Sequence, residues 1–215
     1  MSGNDLPAEH TITVSGVGLV SAEPDVADVM IGVSVTRPAV KDARAEAAAA
    51  MTAVVAAVKQ AGVADKDIRT VSLNLNPVQR YDGNVPKLIG YEFANTTRVT
   101  VRDLEKVSAV VDQAAAVGAT TIQGIAFRID DPTKIEARAR ELAMANARDR
   151  ADALARAAGV AIKGVAAIAE DMGGGPMPPV PMRAFSLAKS AEASTPVEAG
   201  TTEVSIHVTV SYLIG

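Results

Sequence analysis

The sequence predicts an α+β fold, a mainly antiparallel sheet with alanine-rich helices packed on it, in the order ββαββαβαββ. Three observations carry this. Several segments alternate apolar and polar residues with a period of two, the mark of strands buried on one face only. Three longer segments run from a proline or an aspartate to a glycine, as helices do. Short connections between strands outnumber crossovers, and the polar strand faces argue against a doubly covered parallel sheet.

Taken in order, "HTITVSGVGLVSAEPDVADVMIGVSVT" reads as two strands joined near Glu23, Pro24 and Asp25. In the second, Val29, Ile31, Val33 and Val35 share one face, and Met30, Gly32, Ser34 and Thr36 the other. Pro38 opens an alanine-rich helix that Gly62 ends. "DIRTVSLNLNPVQRY" alternates again, with Val71, Leu73 and Leu75 opposite Ser72, Asn74 and Asn76. "YDGNVP" is a turn-rich connection, and "GYEFANTTRVTVR" the next strand. Asp103 is placed to cap a helix whose stripe is Leu104, Val107, Val111 and Ala114, ending at Gly118. "TIQGIAFRID" is a short strand. Asp131 and Pro132 start the longest helix, running to Gly159 with a seam of Ile135, Ala139, Ala143, Ala147, Ala151, Leu154 and Ala158. Its outer face, Arg138, Arg140, Glu141, Arg148, Asp149, Asp152 and Arg156, mixes signs as a solvated or subunit-facing surface does. "GVAAIAE" and "TTEVSIHVTVSYLI" are the last two strands.

Composition narrows the function. The 215 residues suit one domain over 10–215 after a tail at 1–9, large enough to bury roughly 70% of the unfolded surface. No cysteine is present, which excludes disulfides, thiolate metal sites and peroxide chemistry at a thiol. A net charge of −4, with three Phe, three Tyr and no Trp, argues against a nucleic-acid partner. No apolar stretch approaches the roughly 20 residues of a transmembrane segment. "MSGNDLPAEH" has neither a basic nor an apolar leader region, so the chain as written reads as cytoplasmic; a removed signal would make it periplasmic or secreted.

No catalytic constellation emerges, and neither a cofactor nor a metal is expected. His10 and His207 stand far apart on or beside strands, without ligand spacing. The Gly-x-Gly of "SGVGLVS" lies within a strand and opens no helix, so it is no phosphate loop. The carboxylate pairs Asp130–Asp131 and Glu170–Asp171 sit at strand ends, where capping and turns explain them. That leaves the Gly/Pro/Met-rich stretch "DMGGGPMPPVPMRAF" within a long connection at about 171–194. It reads as an exposed loop; a partner-binding segment is one alternative, and thioether ligation of Cu(I) another. Met172, Met177, Pro179, Met182 and Phe185 are its candidate protein-binding residues.

These segments, in this order, resemble the SIMPL-domain family, through "GVGLVSAEPDVADVMIGV", "DIRTVSLNLNPVQRY", "GYEFANTTRVTVRDLEKVSAVVDQAAAVGA", "IQGIAFRIDD", "ARARELAMANARDRADALARAAGV" and "TPVEAGTTEVSIHVTVSYLI". The resemblance covers residues 10–214 and implies no catalytic residues. It implies kinship with bacterial periplasmic or outer-membrane-associated proteins linked to oxidative-stress defence, with a ring-forming immunogen, and with an animal signalling adaptor. The expectation is a non-enzymatic homo-oligomer with a role in oxidative or envelope stress. The alternatives are an adaptor that captures a protein through 171–194 and, behind it, methionine-based metal binding.

Overall fold

In the computed structural model, the described residues are 10–83, 85–171 and 199–215. The strands are β1 (Thr11–Ala22), β2 (Val26–Arg37), β3 (Ile68–Asp82), β4 (Val85–Val101), β5 (Thr121–Arg128), β6 (Ile162–Asp171) and β7 (Thr202–Ile214). The helices are α1 (Val40–Gln60), α2 (Val107–Ala116) and α3 (Thr133–Ala158). The order is the predicted ββαββαβαββ, and every strand pairing is antiparallel. The chain divides into two compact units, one made from its two ends and one from its middle. β1 and β2, though joined through residues 23–25, belong to different sheets.

The unit of the chain ends is a sheet in the order β1-β7-β6 carrying α3. Val14, Val208, Val210 and Tyr212 face the helix. The helix answers with small residues: Ala139, Ala143, Ala147, Ala151 and Ala155 are buried. The seam keeps a spacing of four to its end, so Ala155 is inside and Leu154, expected there, is 51% exposed. A helix lying along its i±4 ridge does this, whereas a step of three would rotate the contact off the ridge. Gly16 and Gly18 complete the fit from the strand side. A Cβ at Gly18 would stand 1.9 Å from the carbonyl oxygen of Ala139, and one at Gly16 2.1 Å from that of Ala143. The Gly-x-Gly is therefore where strand and helix backbones touch.

The middle unit is a sheet in the order β3-β4-β2-β5 with α1 and α2 on one face. Val29, Ile31, Val33, Val99 and Val101 pack under Val54, Val58, Val107 and Val110 to form its core. Alternation is why this works: odd residues of β2 enter the core and even ones face away. α1 stops at Gly62, whose φ of +100° suits only glycine. Asp103 accepts the Glu105 amide at 3.3 Å, but the turn it caps is a short 3-10 segment, and α2 proper begins at Val107.

Candidate functional site

Two features of the middle unit stand out: a long hairpin and a chain of ion pairs. β2 pairs with Tyr91–Val101 of β4, so residues 85–90 are paired with β3 alone. The hairpin therefore runs past its own sheet. Leu73, Leu75, Pro77, Gln79 and Tyr81 lie on the face that continues the core, opposite Asn95, Phe93, Tyr91, Leu88 and Pro86. On that face β3 is bare both where β4 still pairs with β2, at Leu73 and Leu75, and along the arm. Leu73 is 60% exposed, Leu75 46%, Tyr81 69% and Leu88 49%. Single exposed apolar residues are ordinary, but a contiguous row on one face marks an interaction surface. The reverse face carries the opposed pair Arg80 and Lys87, so the arm is amphipathic. β3 is also an edge strand, with one row of backbone groups unpaired within its sheet.

The ion pairs alternate in sign across four elements. The Thr100 hydroxyl and Arg128 Nε donate to the Asp28 carboxylate at 2.6 and 3.0 Å. Arg128 and Arg102 each donate to Asp130, at 2.8 and 2.6 Å. Arg102 then grips both oxygens of Asp67, at 2.9 and 2.8 Å, in a bidentate fork. The Asp130 amide donates to Asp25 at 2.7 Å. Burial pushes the Asp28 carboxyl up, and the Thr100 and Arg128 hydrogen bonds outweigh it, leaving it below the usual range. The Arg102 hydrogen bonds hold Asp67 and Asp130 low, and the same bonds raise the Arg102 guanidinium. Carboxylates held this way are fixed acceptors rather than proton carriers near neutrality.

The predicted site residues Met172, Met177, Pro179, Met182 and Phe185 fall outside the described residues, as does most of the 171–194 loop. Of the carboxylate pairs, Asp131 accepts from the Thr133 amide and hydroxyl, Asp130 joins the ion-pair chain, and Glu170 receives Arg140 at 3.0 Å. Arg138–Glu141 and Arg148–Asp152 pair along the surface of α3. His207 is exposed, with the Ser205 hydroxyl 3.5 Å from its ring. Among the described residues no three His, Cys, Asp or Glu side chains gather as metal ligands. No described helix is long and apolar enough to cross a membrane.

The arm escaped the sequence reading for a physical reason. Period two shows which residues share a face, but not whether a helix reaches over them. "YDGNVP" reads as a loose connection, yet the strands continue to Asp82 and resume at Val85.

Residues 12–212 match the SIMPL family profile, described as protein of unknown function (DUF541). The chain is 34% identical over 214 residues to the 26 kDa periplasmic immunogenic protein of Brucella melitensis, covering 94% of this chain and 84% of that one. The protein of the same name from Brucella abortus is 33% identical over the same shares. The uncharacterized protein YggE of Escherichia coli is 30% identical across 71% of this chain and 62% of its own length. The expectation of a cytoplasmic chain is corrected here, because two relatives matched along most of their length are named as periplasmic. That expectation rested on the first ten residues, whereas nothing in the packing of a cysteine-free domain favours either compartment.

Proposed function

The chain belongs to the SIMPL family of unknown function, and on that premise we propose that it is a non-enzymatic periplasmic protein that assembles with further copies of itself through the β3–β4 hairpin. The observation that carries this is the apolar row Leu73, Leu75, Tyr81 and Leu88 beside the unpaired edge of β3. A second copy is the occupant because the two features adjoin on one strand. A β3 strand laid antiparallel against another offers the same edge and the same row, which is what a two-fold contact requires. Pro77 has no N–H and closes the edge toward the tip, so strand addition falls on residues 68–76. Asn95 lies directly opposite Leu73, and its Oδ1 is buried without a donor, a group that tightening of this surface on docking can satisfy. The Brucella relatives support the compartment. Without cysteine, a role in stress tolerance runs through assembly or envelope contacts rather than thiol chemistry.

A combined Leu73→Ser, Leu75→Ser and Leu88→Ser variant tests the apolar row of the hairpin. All three side chains are exposed, so its circular dichroism should match the wild type. Its sedimentation velocity should shift to the monomer. A variant that sediments with the wild type at every concentration contradicts the assignment.

A further inference from the structure

The face of the middle sheet turned away from α1 holds a second surface, of different chemistry. Cross-strand registers place its side chains in rows. Arg69 lies opposite Arg98, Arg98 opposite Met30, and Met30 opposite Gln123. In the next row Ser72, Thr96, Gly32 and Thr121 stand side by side. The first row is thus two guanidiniums, a thioether and an amide, and the second is hydroxyls around a glycine.

Like charges directly opposite each other on a sheet destabilise it. Six arginines of the described residues, Arg37, Arg102, Arg128, Arg138, Arg140 and Arg148, end on carboxylates. Arg69 and Arg98 form no salt bridge among the described residues. Asp28 feels the charge of Arg98, but its oxygens are taken by Thr100 and Arg128. Glu92, the other carboxylate on this face, accepts the Ser34 hydroxyl at 2.5 Å. Two exposed cations are left facing outward, about 5 Å apart at their Cβ atoms.

The surface beside them is shaped. Gly124, with φ of +64°, makes a bulge in β5, and there a hollow of about 270 Å³ opens beside Arg98, lined by Met30, Gln123 and the Asp28 carboxylate; Arg69, Thr96 and Thr121 lie outside it. Gly32 is needed under the hydroxyl row, since a Cβ there would meet Thr121 Oγ1 at 2.8 Å. Its absence keeps the floor flat between Thr96 and Thr121.

We propose that Arg69 and Arg98, with Gln123 and the Thr96 and Thr121 hydroxyls, form a binding site for a phosphate-type oxyanion. Two planar guanidiniums side by side supply paired, charge-assisted N–H donors, the arrangement that suits tetrahedral oxyanions. Neutral hydroxyl and amide donors complete the shell. The site lies on the opposite sheet face from the apolar row, with Arg69 on the β3 segment that pairs in the proposed assembly.

The test is equilibrium dialysis of the full chain against labelled inorganic phosphate at constant ionic strength. Saturable binding near one phosphate per chain is expected, with sulfate competing. Arg69→Gln and Arg98→Gln should each weaken it at least about tenfold, while Arg98→Lys keeps part of it, all with unchanged circular dichroism. Non-saturating uptake, or saturable binding that survives both glutamine variants, overturns the proposal. Glycerol phosphate and vesicles containing phosphatidic acid then separate the sources: a gain with either over inorganic phosphate supports the site and names free or lipid-borne phosphate.

Discussion

A single methyl group is more than β1 can accept at Gly18. Its Cβ would fall 1.9 Å from the Ala139 carbonyl oxygen and 2.6 Å from the Ala143 amide nitrogen, both backbone atoms that no rotamer change moves aside. Gly18→Ala should therefore push α3 off the sheet and cost about 1–3 kcal/mol in urea unfolding. Gly164→Ala, where nothing lies within 4 Å, should stay within about 0.5 kcal/mol and serves as the control. In the sequence, the same dipeptide spacing could be assigned to a strand and denied to a nucleotide loop. Its partner could not be named, because the helix it touches begins more than a hundred residues later and no local pattern joins the two. His207 was legible as a polar strand residue for the opposite reason, since alternation alone decides its face.

Between elements, the chain from Asp28 through Arg128, Asp130 and Arg102 to Asp67 ties β2, β5, β4 and the turn before β3. The Arg102 fork holds the Asp67 carboxyl, and hydrogen bonds from Arg102 and Arg128 hold that of Asp130, below their ordinary value of 3.8. A carboxyl whose folded pKa is depressed adds stability that is fully present above its unfolded pKa and is lost as pH falls through the folded one. Thermal unfolding should thus be flat from pH 7 to about 5 and drop steeply below about pH 4. Arg102→Gln should melt lower at neutral pH and lose less on acidification, since Asp67 and Asp130 would then titrate nearer their unfolded range. An acid limb as steep as the wild type's would remove Arg102 from this role. Strand and helix identities were legible here because valine alternation and glycine stops are local. The ion pairs were not, since they join positions up to a hundred residues apart, and Asp130 reads locally as a capping residue.

At the scale of the whole molecule, β1 and β7 pair along their length, so the two ends of the chain build one unit around the helix between them. Hairpin-rich order predicted α+β correctly, but nothing in β1 or β2 announces that neighbours joined by a short turn enter different sheets. The exposed arm belongs to this scale as well. Alternation placed Leu73 and Leu75 together, and only the reach of α1 determines that they stay bare. A row of that kind, beside an open strand edge, is what the assembly reading rests on. The most direct measurement is the mass of the native particle by light scattering on a sizing column across a hundredfold range of concentration. A discrete multiple of the 22.1 kDa chain, constant over that range, is the expected result. A clean monomer at every concentration would contradict self-assembly through the β3–β4 hairpin.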